Sequence, residues 1–310
     1  MSQSRLTTRE QLASIWQLGG MSVLQLSRRV WAAVFHDDLL TQSAALAYNF
    51  LLAVFPMLLF LVALFGIFAS HRTDLQERLF FYLAHVLPQA AYSLVSKTFE
   101  EIIASSGGGK ITSGLILALW AGAGGMSSLM SGLNAAYQVR DTRPIYKVRL
   151  IAIGLTLVSS ISLITALLIV LGGSNFAQAV GSALHLGWIT VMVWKALQWI
   201  AAVAILMLAY ALIYYFGPDL EEQHWYWITP GSIVGVLLWL TVSLIFRVYL
   251  HFFNTYSKAY GSLGAVIILL LWFYLTGFAF LIGGEINSEI EHAAARQGHP
   301  EAKPEAQKAA

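Results

Sequence analysis

Ser262–Gly284 reads SLGAVIILLLWFYLTGFAFLIGG, a run without one charged side chain. Wound as an α-helix at about 1.5 Å per residue, such a run spans roughly the 30 Å of a bilayer's hydrocarbon core. It shows no apolar-polar alternation, so the short dyad-patterned segments of a membrane barrel do not fit it. Glu285 and Asn287 follow immediately, giving the run an abrupt polar end.

Uncharged windows of similar or greater length lie at 39–71, 111–139, 150–194, 196–218 and 223–246. Local polarity trims these, with the window just quoted, to spans near 43–68, 114–136, 150–172, 190–216, 229–250 and 262–284. The longest window counts once, because Ser174, Asn175, Gln178, Ser182 and His185 mark its second part as a loop or interfacial segment. The fold expected is all-α: a polytopic membrane protein with six transmembrane helices plus an amphipathic outer helical hairpin.

Composition agrees with that solvent. Of 310 residues 58% are hydrophobic and 11% charged, against about 25% charged in soluble domains, and the mean hydropathy is +0.68. A formal net charge of +2 gives no basic face for phosphates, so no nucleic-acid partner is expected. The absence of cysteine excludes disulfides, thiolate metal sites and cysteine nucleophiles.

Residues 1–42 form an N-terminal segment without the apolar core of a cleaved signal peptide. Its part Leu24–Leu40, with Arg28, Arg29 and Trp31, reads as an interfacial elbow entering the first span. The membrane domain occupies 43–290, and a tail over 291–310, rich in Ala, Glu, Lys and Pro, reads as disordered. Within 73–106, Leu75, Leu79, Leu83, Val86 and Leu87 recur at helical spacing. Pro88 then opens a second helical segment, and Gly107, Gly108 and Gly109 close the hairpin flexibly.

Six spans put both termini on one side, and Lys and Arg choose which. Termini-inside places Arg5, Arg9, Arg28, Arg29, Arg140, Arg143, Lys147, Arg149, Arg296, Lys303 and Lys308 inside. Arg72, Arg78, Lys97, Lys110, Lys195, Arg247 and Lys258 are left outside. The dense group Arg140–Arg149 favours cytoplasmic termini.

Polar side chains at one depth are candidates for function, because they are expensive in lipid. Tyr48 and Asn49 in the first span, Asn134 at the end of the second, and Glu285 and Asn287 closing the sixth share the cytoplasmic level with Arg140 and Arg143. They either converge on a polar pocket or anchor separately in headgroups. Gly122, Gly124 and Gly125 make one face of the second span nearly all small, suited to close helix packing or to a broken helix lining a path. Pro56 is expected to kink the first span.

Eight histidines show no metal-ligand spacing, and there is neither a phosphate-cradling Gly-x-x-x-x-Gly-Lys loop nor a Gly-x-Ser-x-Gly elbow. No enzyme, metal or cofactor is expected.

Several phrases together resemble the YihY/BrkB family of bacterial inner-membrane proteins. They are Ala44-Ala45-Leu46-Ala47-Tyr48 with Leu51-Leu52 and Phe55-Pro56, then Leu133-Asn134-Ala135-Ala136-Tyr137 and Thr142-Arg143-Pro144. Tyr260-Gly261-Ser262-Leu263-Gly264-Ala265-Val266, Leu271-Trp272-Phe273-Tyr274 and Gly284-Glu285-Ile286-Asn287 complete the set, running in order from about Leu24 to Glu291. The chain departs from the pattern in span two, where Gly124 and Gly125 stand at the level of a frequent family arginine. The resemblance implies a six-span bundle with cytoplasmic termini, a misassigned ribonuclease label, and a part in moving envelope lipids. The function expected is therefore handling of lipids or other amphiphilic anions, with membrane lipids as partners. The alternative is a scaffold docking envelope-assembly proteins through the outer hairpin.

Overall fold

The computed structural model describes residues 16–68, 76–81, 96, 97, 100, 108–183, 187–220, 229–252 and 262–296. Among the described residues, a 3-10 turn at Leu18–Gly20 is followed by seven long helices. They are α1 (Val23–His36), α2 (Leu39–Phe68), α3 (Gly108–Ala136), α4 (Ile145–Ala183), α5 (Gly187–Phe216), α6 (Pro230–Phe252) and α7 (Ser262–Arg296). No strand occurs among the described residues. The chain is an all-α polytopic membrane protein. Ile116–Ala136, Ile145–Leu171, Ala196–Phe216, Pro230–Tyr249 and Val266–Ala294 are long and apolar enough to cross a bilayer. α2 is a further apolar helix of 30 residues, with Leu39–Val54 counted as apolar on its own.

Helix ends fall where local chemistry permits them. Ser22 caps α1 in a reciprocal box with Gln25, each side chain bonding the other's backbone N–H. α3 closes when Gln138 turns left-handed at φ 53°. Val139 N–H then bonds the Asn134 carbonyl at 2.9 Å, and Gln138 N–H the Ala135 carbonyl at 2.9 Å. α6 opens with Pro230 in the first turn behind Thr229, whose hydroxyl accepts from Ser232 N–H at 3.1 Å.

Three expected boundaries move. α7 continues past Gly284 to Arg296, because Glu, Ile and Ala there are compatible with helix and no proline intervenes. α4 runs through Ser174, Asn175, Gln178 and Ser182 to Ala183 instead of breaking into a loop, since polarity alone does not stop a helix. α3 begins at Gly108, inside the glycine run expected to be a flexible end. Residues 76–81 of the outer hairpin are helical; most of 73–106, and the tail beyond Arg296, lie outside the described residues.

The chain divides into two compact units. The first comprises Met1–Leu52, Gly124–Ala152 and Tyr210–Ala310. In it α7 packs against α6, α1 and the 3-10 turn. Leu26, Val30, Ile286 and Ile290 form a core there, with Leu18, Met21 and Ile282 against it. Gly19 stands at φ 59°, and a Cβ on it would meet the Ile290 carbonyl at 2.7 Å. Tyr210 stacks on Phe280 with ring centroids 3.8 Å apart. The second unit comprises Ala53–Ala123 and Ile153–Ala209. Its core joins Leu79 and Ile164 with leucines of α2 and α4, and Arg78 Nη1 donates to the Leu171 carbonyl at 2.9 Å.

Candidate functional site

The polar residues singled out by depth belong mostly to the first unit, where they separate into three groups. Asn134, buried near the end of α3, receives Asp219 N–H on Oδ1 at 2.8 Å and donates Nδ2 to Asp141 at 3.1 Å. Arg143 donates Nη2 to Asp141 at 2.7 Å and to the Gly217 carbonyl at 2.9 Å, with Asp219 at 3.5 Å from Nε. Thr142 donates both its N–H and its hydroxyl to Asp219, at 2.8 and 2.7 Å. The turn after α3 is thereby tied to the segment after α5. The Arg143 guanidinium, hydrogen-bonded to Asp141, holds that carboxyl below the usual aspartate range, and the same bond raises Arg143. Asn134 and Arg143, expected to face an anionic headgroup, are both hydrogen-bonded within the protein. Only 6% of the Arg143 side chain is exposed.

Asn287 belongs to a helix cap. Its Oδ1 accepts Gly231 N–H at 2.9 Å and its Nδ2 donates to Thr229 Oγ1 at 3.0 Å, so α7 satisfies the open N-terminus of α6. Here the backbones meet most tightly. A Cβ on Gly231 would overlap the Gly283 carbonyl, and one on Gly283 would overlap the Tyr214 hydroxyl. That hydroxyl donates to the Phe280 carbonyl at 2.8 Å.

Glu285 forms the third group and differs in kind. It is 1% exposed, and neither carboxylate oxygen has a hydrogen-bond partner. The charged groups acting on it are Asp37 and Glu289, both acidic. The nearby Tyr137 hydroxyl engages the Asn287 side chain; burial first, then Glu291, pushes it well above its ordinary value, so it stays a neutral phenol. Asp37 at the end of α1 is itself 7% exposed. Gln138 Nε2 donates to both its oxygens at 3.1 Å, and His36 Nδ1 lies 2.8 Å from Oδ1. Among the described residues no three His, Asp or Glu side chains are placed to share a metal ion.

Tyr48 is 60% exposed, and Asn49 Nδ2 bonds back to the Ala45 carbonyl of its own helix at 2.9 Å. Arg140 is exposed. Pro56 sits inside a continuous α2. α3 runs unbroken through Gly122, Gly124 and Gly125, so the broken-helix alternative falls. Gly122 packs on Met57, whose Sδ would lie 3.2 Å from an added Cβ, and Gly125 is buried. Gly124 faces open space, which corrects its expected role in close packing.

The family model described as Virulence factor BrkB matches residues 30–309. The chain belongs to the BrkB family. A Bacillus subtilis relative, named putative ribonuclease-like protein YfkH, is 32% identical over 80% of this chain and 88% of its own length. A UPF0761 membrane protein of Xanthomonas oryzae is 27% identical over 90% of this chain. One of Xanthomonas axonopodis is 26% identical over 86%. The BrkB-family chain spans 63% and 61% of the lengths of these two Xanthomonas proteins. No solved structure matches it.

In this family member sequence reasoning missed Asp37, Gln138, Asp141, Asp219, Gly231 and Gly283. Asp141 carried a signal, since an acid two residues before Arg143 is within reach of a guanidinium. Asp219 carried none, because its partners Asn134 and Thr142 are 85 and 77 residues away.

Proposed function

We propose that this chain is a multi-pass protein of the bacterial inner membrane, with cytoplasmic termini, that moves or handles amphiphilic anions, envelope lipids foremost, without acting as an enzyme. The observation that carries this reading is Glu285: an acidic side chain, 1% exposed and unpartnered, on a helix long and apolar enough to span a bilayer. Removing charge from water costs several kcal/mol per ion, and a purely architectural bundle gains nothing from keeping it. Intramembrane ionisable groups characteristically mark ion and substrate pathways.

Since Asn134, Arg143 and Asn287 hold the scaffold together, contact with an anionic headgroup falls to exposed groups at the same end: Arg140, Lys147 and the amphipathic ring of Tyr48. The test is reconstitution of the full chain in liposomes carrying labelled phospholipid or an anionic lipid A precursor. Protein-dependent redistribution between leaflets, reduced in Arg140→Ala with Lys147→Ala, supports the reading. Unchanged distribution, together with a stoichiometric protein crosslinked at Lys97, overturns it in favour of a scaffold docking envelope-assembly proteins.

A further inference from the structure

We propose that Glu285 is a proton-binding site, loaded from the exposed end of α1 through His36 and Asp37. This rests on the transport reading only in supplying its coupling ion; the site itself is argued from geometry.

Among the described residues, the charged groups acting on Glu285 include no cation. On α1, Arg29 is directed to Glu289, with Nη1 3.7 Å from its carboxylate, and Asp37 adds negative charge. On α7, Glu289 and Glu291 are acidic, and the titratable His292 lies about two turns beyond Glu285 along the helix, engaged in an interaction of its own. The turn after α3 supplies the neutral Tyr137, α5 supplies Tyr214, already donating to the Phe280 carbonyl, and the first turn of α6, Pro230-Gly231-Ser232, has nothing titratable. Next along the helix, the Ser288 hydroxyl is also 1% exposed and unpartnered. A carboxyl among acids and without donors is stable only when a positive charge comes with it. A metal cation needs several oxygen ligands converging on one point, and no such group of acidic side chains exists among the described residues. A proton needs one oxygen.

The outer half of a route for that proton is built. The His36 side chain is 78% exposed, while Asp37, bonded to it at 2.8 Å, is 7% exposed. The Gln138 amide fixes the Asp37 carboxylate from the other side. Both Gln138 and Asp38 are held left-handed, at φ 53° and 51°. Non-glycine residues rarely adopt that region, and such strain gathers at functional sites. A solvent proton enters at His36 and crosses the 2.8 Å hydrogen bond from Nδ1 to Asp37; because no hydrogen bond joins Asp37 to Glu285, a water between the two carboxyls carries it the last step. His36 and Asp37 end unchanged, and the net step converts one Glu285 carboxylate and one solvent proton into the neutral acid.

The experiment is a difference-infrared pH titration of the full chain in lipid nanodiscs, following the carbonyl stretch of protonated carboxyl groups. Glu285→Gln, close in shape, is expected to lose one titrating band, whereas Glu285→Asp keeps a displaced one and guards against a folding artefact. Asp37→Asn is expected to move the midpoint. His36→Gln is expected to keep the band but slow its appearance after a pH jump by about tenfold or more. A Glu285→Gln spectrum superimposable on wild type overturns the site, and an unaltered pH-jump rate in His36→Gln overturns the route. No lipid substrate enters this readout. A band lost in Glu285→Gln without lipid movement in liposomes therefore sinks the transport reading alone, and lipid movement with an unchanged band sinks the proton site alone.

Discussion

Gly231 and Gly283 show what one hydrogen in place of a methyl group allows. At their crossing the Gly231 backbone lies against the Gly283 carbonyl, and the Tyr214 hydroxyl fills the space a Gly283 side chain would need. In lipid, helix association depends on such packing, because apolar surface gains little by leaving hydrocarbon. Gly231→Ala is expected to cost about 1–3 kcal/mol by overpacking, read as a lower thermal midpoint in detergent. Gly124→Ala is the internal contrast. Its Cβ meets nothing within 4 Å, so relief of the helical glycine penalty should leave the midpoint unchanged or raise stability by up to about 1 kcal/mol. Equal loss from both substitutions would contradict the packing described.

Between elements, the lock of Asn134, Asp141, Thr142, Arg143 and Asp219 decides where the turn after α3 sits. Arg143→Ala removes several charge-assisted bonds at once and leaves Asp141 and Asp219 facing each other. A loss of about 1.5–3 kcal/mol is expected, with faster hydrogen exchange over 137–144. Arg143→Lys should recover only part of it, because an ammonium cannot bond Asp141 in the planar fork that guanidinium provides. The lock also has a pH signature. The folded Asp141 carboxyl is held below its unfolded value, chiefly by its hydrogen bond to Arg143. Its contribution is therefore fully present above the unfolded aspartate range and disappears as pH falls through the lowered folded value. Exchange protection over 137–144 should stay flat from neutrality down to about pH 5 and decline below about pH 4. Protection lost already near pH 6 would point to a histidine instead.

For the whole molecule, orientation is the property most open to a clean test, because the chain contains no cysteine. Single-cysteine variants then report without background. With cytoplasmic termini, Lys147→Cys should resist a membrane-impermeant maleimide in intact cells and react after permeabilisation, while Lys97→Cys should react in both. The reverse pattern would invert the topology and move His36 to the outer side.

The membrane solvent, the all-helical class and the ends of several helices were legible in the residues, because burying a charge in hydrocarbon is so unfavourable that charged positions mark the edges of each span. Ala136, Phe216, Pro230 and Ser262 bound helices near their expected places for that reason. The roles of the polar residues were not legible at all. Depth places Asn134, Arg143, Glu285 and Asn287 at one level, yet whether each is bonded depends on partners up to 85 residues away and on the rotation of its helix. Only packing decided that Arg143 and Asn287 are held by the protein itself while Glu285 is left without a donor, since hydrogen bonds follow distance in space and hydropathy does not encode it.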